Sequence, residues 1–350
     1  MSEPTARPEA TDPAAPLSVE DHEAAARPVL PPGVFDFIAG GAGEERTLAE
    51  NRRAFARWVL RPRVLRGVVR PELAIELLGS SAAMPVLVAP WAYQRMVHPD
   101  GDVATARGAA AAGTIATISS SGYDLLEAVA ATGDAPRWWQ LYVSEDRGFT
   151  ATMLQRVAAA GFRAIVWTVD LPAYGIRRRD ERNAFEIPPE LVPAGFGNDG
   201  RITWDDLPWI REHAGGLPVL LKGILTREDA ELAVRAGADG IVVSNHGARQ
   251  LDAVPAALDA LPEVVEAVAG AVPVLLDGGV RTGTDVLTAL ALGATAVLVG
   301  RPAAWGLALG GADGVERVLG ILREELENAM TLCGCASVAE IGPELVAPAR

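Results

Sequence analysis

Hydrophobic and polar positions along this chain alternate in blocks. From about Met84 onward, short runs of apolar, often β-branched residues are followed by longer Ala-rich stretches with helical spacing. Such apolar runs are typical of parallel strands that are covered on both faces. The pattern predicts eight strands, at Pro85–Ala89, Thr114–Ser119, Trp139–Val143, Ala164–Asp170, Val219–Gly223, Gly240–Ser244, Val274–Gly278 and Ala296–Gly300.

The stretches between these strands predict helices that end at glycine. Clear examples are Asp102–Ala112, Phe149–Ala160, Arg227–Ala236 and Gly283–Leu292, which are followed by Gly113, Gly161, Gly237 and Gly293. Eight strand–helix units in a row predict a closed (β/α)8 TIM barrel. The alternative is an open, doubly wound sheet. The even spacing, and the absence of a Gly-x-Gly-x-x-Gly turn after the first strand, favour the barrel.

The segment before the barrel predicts a tail and then helices. Residues 1–16 are rich in Pro, Ala, Glu and Thr, and we expect a disordered tail there. Ser18 has the character of a helix N-cap, with Asp21 three residues later. Further helices are predicted after Pro32 and over Glu44–Phe55. Residues 17–350 are therefore expected to form a single barrel domain with N-terminal helices.

A long gap follows the fourth predicted strand. About fifty residues separate Asp170 from the next strand, including Arg177-Arg178-Arg179-Asp180 and a Pro- and Gly-rich stretch to about Gly200. Because this segment follows a strand, it lies on the face where barrels carry their active sites. We expect a lid or a mobile surface segment.

Composition narrows the class of protein. The chain has 350 residues, 49% of them hydrophobic, and a formal net charge of −14, which argues against nucleic acid and anionic membranes as partners. No segment has the length and apolarity of a membrane span. Two cysteines one residue apart, Cys333 and Cys335, predict no disulfide framework and fit a reducing cytoplasm. The four histidines have no metal-ligand spacing, so no metal is expected.

The sixth predicted strand ends in a cluster of reactive side chains. Directly after the strand, the segment from Ser244 to Asp252 presents His246, Gly247 and Arg249. An imidazole can accept a proton near neutral pH, and a guanidinium can hold a carboxylate through two parallel hydrogen bonds. The pair predicts a base that removes a proton next to an anchored carboxylate. The alternative is a loop histidine beside a surface arginine.

Other strand ends carry polar groups that would meet at the same mouth of the barrel. The seventh and eighth strands end in Gly278-Gly279 and Gly300, with Arg281 and Arg301 close behind, which predicts a phosphate-binding cradle. Alternatively, these glycines only form tight turns. Lys222 could be a Schiff-base nucleophile, a fixed positive charge or a structural partner of Asp277.

Together these motifs resemble those of the FMN-dependent α-hydroxy acid oxidase and dehydrogenase family. The resemblance covers roughly residues 34–341. It is carried by Val-Ser-Asn-His-Gly-Ala-Arg-Gln-Leu-Asp, Leu-Lys-Gly-Ile, Thr-Val-Asp, Gln-Leu-Tyr, Asp-Gly-Gly-Val-Arg and Val-Gly-Arg-Pro. Val-Phe-Asp-Phe-Ile-Ala-Gly-Gly and Trp-Ala-Tyr-Gln-Arg look most like the hydroxymandelate oxidase branch. The resemblance implies FMN as cofactor and a 2-hydroxy acid as substrate.

The resemblance also implies roles for individual residues. His246 would take the Cα proton, or the hydroxyl proton if hydride moves to the flavin, and Asp170 would stabilise the imidazolium. Arg249 and Arg177 would hold the substrate carboxylate, and Tyr142 would bond its hydroxyl or carbonyl oxygen. The residues implied for FMN are Ala92, Ser119, Gln140, Thr168, Lys222, Ser244, Asp277, Gly278, Gly279, Arg281, Gly300 and Arg301.

Two departures from the family suggest an aromatic substrate of the mandelate or 4-hydroxymandelate type. Phe37 stands where many relatives have a carboxylate-binding tyrosine, and Ser121 where glycolate-type members have a tryptophan above the site. With a shorter lid and no haem domain before the barrel, we expect electrons to pass to O2. The resemblance also implies a homo-oligomer, a tetramer. The alternatives are a lactate- or glycolate-type enzyme and a flavin-binding barrel without redox turnover.

Overall fold

In a computed structural model, residues 16–349 are described. The expected disordered tail therefore lies outside the described residues, apart from Pro16. The α-helices are α1 Val19–Ala26, α2 Pro32–Ala39, α3 Arg46–Ala56, α4 Gly101–Ala111, α5 Leu126–Ala130, α6 Arg147–Ala159, α7 Arg178–Arg182, α8 Asp206–His213, α9 Arg227–Ala236, α10 Ala257–Val268, α11 Gly283–Ala291 and α12 Arg301–Cys333. The strands are β1 Trp58–Leu60, β2 Ile75–Leu77, β3 Ser80–Ala82, β4 Val86–Val88, β5 Ala116–Ser119, β6 Arg137–Leu141, β7 Ala164–Thr168, β8 Val219–Ile224, β9 Gly240–Val243, β10 Val274–Asp277, β11 Ala296–Val299 and β12 Val346–Pro348.

Strands β4 to β11 close into a barrel. They pair in chain order, all parallel, and β11 returns to β4 through Val297↔Val86 and Val299↔Val88. The predicted (β/α)8 barrel is confirmed. The eight carboxyl ends therefore meet at one mouth, which is where the polar residues of the sequence motifs are placed.

The predicted helix ends are confirmed, but one strand was misplaced. Gly113, Gly161, Gly237 and Gly293 follow their helices with φ of 71°, 80°, 88° and 104°. The third barrel strand, predicted at Trp139–Val143, instead occupies Arg137–Leu141. The prediction followed the apolar run, whereas beyond the strand the carbonyl of Val143 accepts a hydrogen bond from the amide of Asp199 in the lid.

A hairpin that the sequence reading missed fills the floor of the barrel. Strands β2 and β3 pair antiparallel around a turn at Leu78 and Gly79, both with positive φ. Buried Leu77 and Ala82 pack in one cluster with barrel side chains that include Trp138. A second missed pair joins β1, which follows α3, to β12 near the C-terminal end of the described chain. With three residues each, these strands are too short to show a periodic pattern.

Three helices precede the barrel, as predicted. Ser18 caps α1 and forms the expected reciprocal capping box with Asp21. Helix α2 ends at Gly40, and α3 runs from Arg46 to Ala56, with Asn51 among its buried residues. Helix α3 packs on the turn that follows β9, and so comes within reach of the barrel mouth.

The segment after β7 is ordered by ion pairs to these N-terminal helices. It contains α7 and a short 3-10 turn at Pro189–Leu191 rather than a continuous loop. Arg179 bonds Asp36 at 3.2 Å and Glu45 at 2.6 Å, and Arg178 bonds Glu44 at 2.9 Å. This segment, residues 171–200, is called the lid below.

Other sequence features have simple structural counterparts. Cys333 and Cys335 are buried free thiols. Within residues 16–349, no group of three or more His, Cys, Asp or Glu side chains is arranged to hold a metal ion. Across the same span, no helix has the length and apolarity needed to cross a bilayer.

Candidate active site

A histidine–aspartate pair lies at the barrel mouth. Nδ1 of His246 is 2.9 Å from Oδ1 of Asp170, which follows the end of β7. Gly223 makes room for the carboxylate, since a Cβ there would lie 2.7 Å from Cβ of Asp170. Burial lowers the pKa of His246, and Asp170 only partly opposes this. The imidazole is therefore neutral at pH 7, with Nε2 available as a base.

The turn that carries His246 is strained. His246, Gly247 and Ala248 have φ of 59°, 61° and 62°, a left-handed conformation that costs energy in residues with a Cβ. Asn245 holds the turn from within, because its Oδ1 accepts a hydrogen bond from the amide of Ala248 at 3.0 Å. The conformation aims the imidazole into the cavity while β9 itself stays buried.

The rest of the motif ties the turn to its neighbours. Gln250 Nε2 donates to the carbonyls of Asp170 and Ala173, which fixes the start of the lid. Asp252 accepts hydrogen bonds from the amides of Glu44 and Thr47 at 2.9 Å each, so it caps α3 from a distant segment. The motif thus contains both the reactive side chain of His246 and residues, Gln250 and Asp252, that bind its turn to neighbouring segments.

Arg249 and Arg177 place two positive charges beside His246. In the chain from residue 16 to 349, neither guanidinium has a carboxylate within salt-bridge distance. Arg249 donates to the carbonyls of Phe37 and Gly40, and Arg177 to the carbonyl of Arg249. Burial, followed by the charge of Arg177, lowers the pKa of Arg249 well below its usual value. A bound anion would relieve this repulsion.

Phe37 lies under both guanidinium groups. Its ring centroid is 4.8 Å from Cζ of Arg249 and 5.8 Å from that of Arg177, and its other neighbour is the ring of Phe185 at 5.0 Å. Cations over an aromatic face are attracted to its π-electrons. Phe37 therefore supports the two arginines without offering a hydroxyl.

Lys222 is a buried cation with two partners. Its Nζ lies 3.1 Å from Oδ2 of Asp277 and 3.0 Å from Oγ of Ser244. Burial opposes the charge, but Asp277 and then Asp170 outweigh it and raise the pKa of Lys222. A charged amine is not a nucleophile, so the Schiff-base reading loses support and the fixed positive charge is favoured.

A polar row crosses the next strands at the same level. Ser119 donates to Gln140 at 3.1 Å, and Gln140 donates to Thr168 at 3.1 Å. Ser119 pairs with Gln140 in the barrel register, and Thr168 with Lys222. The row thus runs over β5, β6, β7 and β8. It presents donors and acceptors in a line, as the edge of a planar heterocycle requires.

The residues of the predicted phosphate cradle lie at the ends of β10 and β11. Gly278 and Gly279 have φ of 99° and 88°, so their turn exposes backbone next to Arg281, while Gly300 leads into α12 beside Arg301. Burial lowers the pKa of Arg281 to about 10 and that of Arg301 to about 9, the latter also through repulsion by Arg281. Two repelling cations beside glycine amides suit a phosphate dianion.

One cavity collects these groups. Its empty space, counted out to the open mouth, is about 1220 Å3. The predicted residues that line it are Phe37, Ala92, Ser119, Gln140, Tyr142, Thr168, Arg177, Lys222, His246, Arg249, Asp277, Gly278, Gly279, Arg281, Gly300 and Arg301.

Comparison with known proteins identifies the family. Residues 26–348 match the family model described as FMN-dependent dehydrogenase. The chain belongs to the FMN-dependent dehydrogenase family. It is an FMN-dependent oxidoreductase, as the sequence predicted.

Relatives of this FMN-dependent dehydrogenase include proteins named for different substrates. Glycolate oxidase 1 of Oryza sativa subsp. indica is 46% identical over 346 residues, covering 93% of this chain and 94% of that protein. 2-Hydroxyacid oxidase 1 of Homo sapiens is also 46% identical, covering 94% and 96%. A solved structure of mandelate oxidase with benzoyl-formic acid has a TM-score of 0.91 and 47% identity, covering 96% and 99%. The identities to the glycolate, 2-hydroxyacid and mandelate oxidases are similar, so sequence identity does not select a substrate.

The residues present fit FMN. The cradle of Arg281 and Arg301 suits the phosphate, and the polar row with Lys222 suits the edge of the flavin ring. Oδ1 of Asp277 is buried and has no hydrogen-bond partner among residues 16–349, so it is free to accept from a ribityl hydroxyl. In this family's reactions the cofactor supplies the electron sink.

Three predicted site residues do not line the cavity. Asp170 and Ser244 act from behind it, through His246 and Lys222. Ser121, expected to leave space above the flavin, is buried, and its hydroxyl accepts a hydrogen bond from the amide of Tyr93 at 3.1 Å. Ser121 therefore does not itself line the cavity, and the expectation that its small size leaves room for the substrate stays a prediction.

Aromatic residues that sequence reasoning missed line the cavity instead. Tyr93 follows the first barrel strand, and Phe196 comes from the lid. The ring of Phe196 meets Tyr93 edge-on at 6.5 Å and Tyr142 at 6.2 Å. Tyr174 also lines the mouth. Tyr93 was part of the quoted Trp-Ala-Tyr-Gln-Arg motif, but nothing in the sequence indicated Phe196.

Proposed function

We propose that this enzyme oxidises a 2-hydroxy acid to the corresponding 2-oxo acid. The observation that carries the proposal is the His246–Asp170 hydrogen bond beside two arginines that have no carboxylate within salt-bridge distance among residues 16–349. A base next to a carboxylate-binding site acts on the carbon alpha to that carboxylate. The oxidase names of the relatives support the same reaction.

Arg249 and Arg177 bind the substrate carboxylate. Two half-buried guanidinium groups that repel one another gain most from a planar anion, which each can meet with parallel hydrogen bonds. Holding the carboxylate also fixes the hydroxyl-bearing carbon relative to His246. Orientation of this kind lowers the barrier because fewer degrees of freedom are lost at the reaction step.

His246 takes the proton through Nε2. Its Nδ1 is occupied by Asp170, and Nε2 is 3.5 Å from the hydroxyl of Tyr142. Burial opposes the charge of Asp170, but the hydrogen bond from His246 and the charge of Lys222 outweigh it and lower the pKa, so Asp170 is held as a carboxylate. It therefore stabilises the imidazolium. Burial, followed by the charge of Asp170, raises the pKa of Tyr142, so that residue donates a hydrogen bond as a neutral phenol.

FMN, when bound, would supply the sink for the two electrons that leave the substrate. Arg281, Arg301 and the glycine turns would hold its phosphate, and Ser119, Gln140 and Thr168 its ring. The charge on Lys222 would favour the reduced, anionic ring. We also propose O2 as the final acceptor, with two electrons and two protons converting it to H2O2.

The aromatic wall of the cavity supports an aryl substrate, such as mandelate or 4-hydroxymandelate. Tyr93, Phe196 and Phe37 offer apolar and edge-on contacts for a second ring. Burying a phenyl rather than a methyl group is worth about 1–3 kcal/mol. The solved mandelate oxidases with aromatic ligands support the same class. Glycolate-type oxidation is the alternative, and it is favoured by the identity to glycolate oxidases.

The decisive experiment compares four acids under anaerobic conditions. Mandelate and 4-hydroxymandelate should reduce the flavin with a larger second-order rate constant than lactate or glycolate. Preference for glycolate would select the alternative substrate class. If no acid bleached the flavin, the redox proposal itself would fail, leaving a flavin-binding barrel. Oxygen consumption and peroxide formation then test the acceptor.

We also propose that the chain forms homo-oligomers. Residues 61–70 make a surface strap on which Val64, Leu65 and Val69 are 79%, 101% and 79% exposed, between four arginines. A groove that includes Pro62 of the strap is also lined by Leu60, Leu332, Glu324 and Glu325. A strap of one copy is complementary in charge and apolarity to the groove of a second, as a two-fold interface requires. Replacing Leu65 and Val69 by Glu should give monomers in analytical ultracentrifugation, and an unchanged mass would refute this surface.

A further inference from the structure

Asn51 on α3 lies between the turn that carries the base and the turn that is offered to the cofactor. It is buried and 194 residues from Asn245, yet the two amides form a reciprocal pair. Nδ2 of Asn51 donates to Oδ1 of Asn245 at 2.9 Å, and Nδ2 of Asn245 donates to Oδ1 of Asn51 at 2.8 Å. Nothing in the sequence motif for His246 indicates this contact.

The pair fixes the strained turn through both side-chain polar atoms of Asn245, Oδ1 and Nδ2. Oδ1 of Asn245 also accepts from the amide of Ala248, and its Nδ2 also donates to the carbonyl of Pro255. Oδ1 of Asn51 accepts in addition from the amide of Ala257. The backbone from Asn245 to Ala257 is thus gathered around two side chains. Three consecutive residues with positive φ persist only where neighbours overdetermine them.

The same asparagine is packed against the glycine turn after β10. A Cβ on Gly279 would lie 2.0 Å from the carbonyl oxygen of Asn51, and one on Gly278 would lie 3.3 Å from its Nδ2. The next residue, Arg52, donates to the carbonyl of Gly279 at 2.6 Å. One turn of α3 therefore contacts the turn of His246 through the side chain of Asn51, and it packs most closely on the glycine turn through its backbone.

We propose that Asn51 is a positioning residue, which sets the location of His246 relative to the bound flavin and substrate. The inference rests on the proposed oxidation of a 2-hydroxy acid. It assigns to α3, outside the barrel, a part in the reductive step. Loss of the side chain should let the His246 turn relax while the backbone contact with Gly279 stays.

The test compares Asn51→Ala with Thr114→Val in the FMN-loaded enzyme. Thr114 is equally buried, and its hydroxyl donates to the carbonyl of Val86 at the opposite end of the barrel. Asn51→Ala removes three buried hydrogen bonds and Thr114→Val removes one, so both variants should lose stability, the alanine variant more. Only Asn51→Ala should slow anaerobic flavin reduction, by about 10- to 100-fold, the effect of a small misplacement. FMN affinity should stay near the wild-type value.

A second measurement observes His246 directly. The chain contains four histidines, so their ring resonances can be assigned by substitution. Asn51→Ala should move the His246 resonances and their titration midpoint and leave those of His213 unchanged. Wild-type reduction, or unchanged His246 resonances, would overturn the proposal. Loss of FMN affinity in parallel with the reduction rate would overturn it too, because the asparagine would then act on the cofactor turn.

Asn51→Asp tests the same proposal if the alanine variant does not fold. Aspartate is isosteric, but its ionised form cannot donate to Oδ1 of Asn245, whereas its neutral form can. The ratio of variant to wild-type reduction rates should therefore rise as pH falls. A ratio independent of pH would refute the role. If the wild type is not reduced by any 2-hydroxy acid, the proposed function fails, and the histidine resonances still decide the position of His246.

Discussion

Replacing Asp170 by Asn tests the electrostatic core of the site. Asn is nearly the same size and keeps an oxygen that can accept from Nδ1 of His246, but it removes the negative charge. Two unit charges 3–4 Å apart interact by about 4–6 kcal/mol at an effective dielectric constant of about 20. The measured separation of Nδ1 and Oδ1 is 2.9 Å. If the retained hydrogen bond preserves half of this energy, the barrier rises by about 2–3 kcal/mol, which is about 30- to 150-fold in rate.

The direction of the pH effect is set by the same pair. Burial already lowers the pKa of His246, and Asp170 raises it. Without the carboxylate the pKa falls further, so the acid limb of kcat/KM should move to lower pH while the plateau drops. A site that merely lost its fold would lose activity without such a shift.

Stopped-flow reduction of the flavin, measured anaerobically across pH, is the suitable assay. Asp180→Asn provides a control, because it removes a carboxylate near Arg177 and Arg249 that does not contact His246. The control should keep the wild-type acid limb. An acid limb for Asp170→Asn that stays in place, or moves to higher pH, would refute the assignment of this pair.

Three further changes probe the other parts of the site. His246→Ala should slow flavin reduction by about 10²- to 10⁴-fold and leave the amount of FMN per chain unchanged in absorbance spectra; reduction at the wild-type rate would remove His246 from the mechanism. Arg301→Met should weaken FMN binding by about 10- to 150-fold, as expected for a lost charge-assisted hydrogen bond, in a fluorescence titration of the apoprotein, and unchanged affinity would disprove the cradle. Phe196→Ala should lower kcat/KM for mandelate by about 10- to 100-fold and leave that for glycolate nearly constant; equal losses for both acids would argue against the aromatic wall.

The sequence allowed prediction of those site residues whose positions follow from the barrel. His246, Lys222 and Asp277 come at the ends of strands, and parallel strands bring their carboxyl ends together. Phe196 could not be found in this way. Its place depends on the hydrogen bond between Asp199 in the lid and Val143, which follows the end of β6. The two residues are more than fifty positions apart in the chain.

The surroundings of Ser121 could not be predicted for a similar reason. The residue type was interpreted from its position in the motif, but its orientation depends on the amide of Tyr93, 28 residues earlier. Asn51 likewise carries no local signal, because its partner is distant in the chain. Long-range contacts thus decide which side chains form the walls of the cavity, whereas the periodic pattern decides where the strand ends lie.

The hairpin that fills the barrel floor determines where ligands enter and leave the cavity. With Leu77, Ala82 and Trp138 packed across that end, passage to the interior is through the mouth beneath the lid. In an oxidase of the proposed kind, the oxo acid would leave by the route along which oxygen arrives. The fold then affects whether the oxo acid leaves before oxygen binds. Slow release of the oxo acid would delay reoxidation of the flavin. Residues at the entrance, such as Tyr174, would influence turnover without touching the reacting atoms.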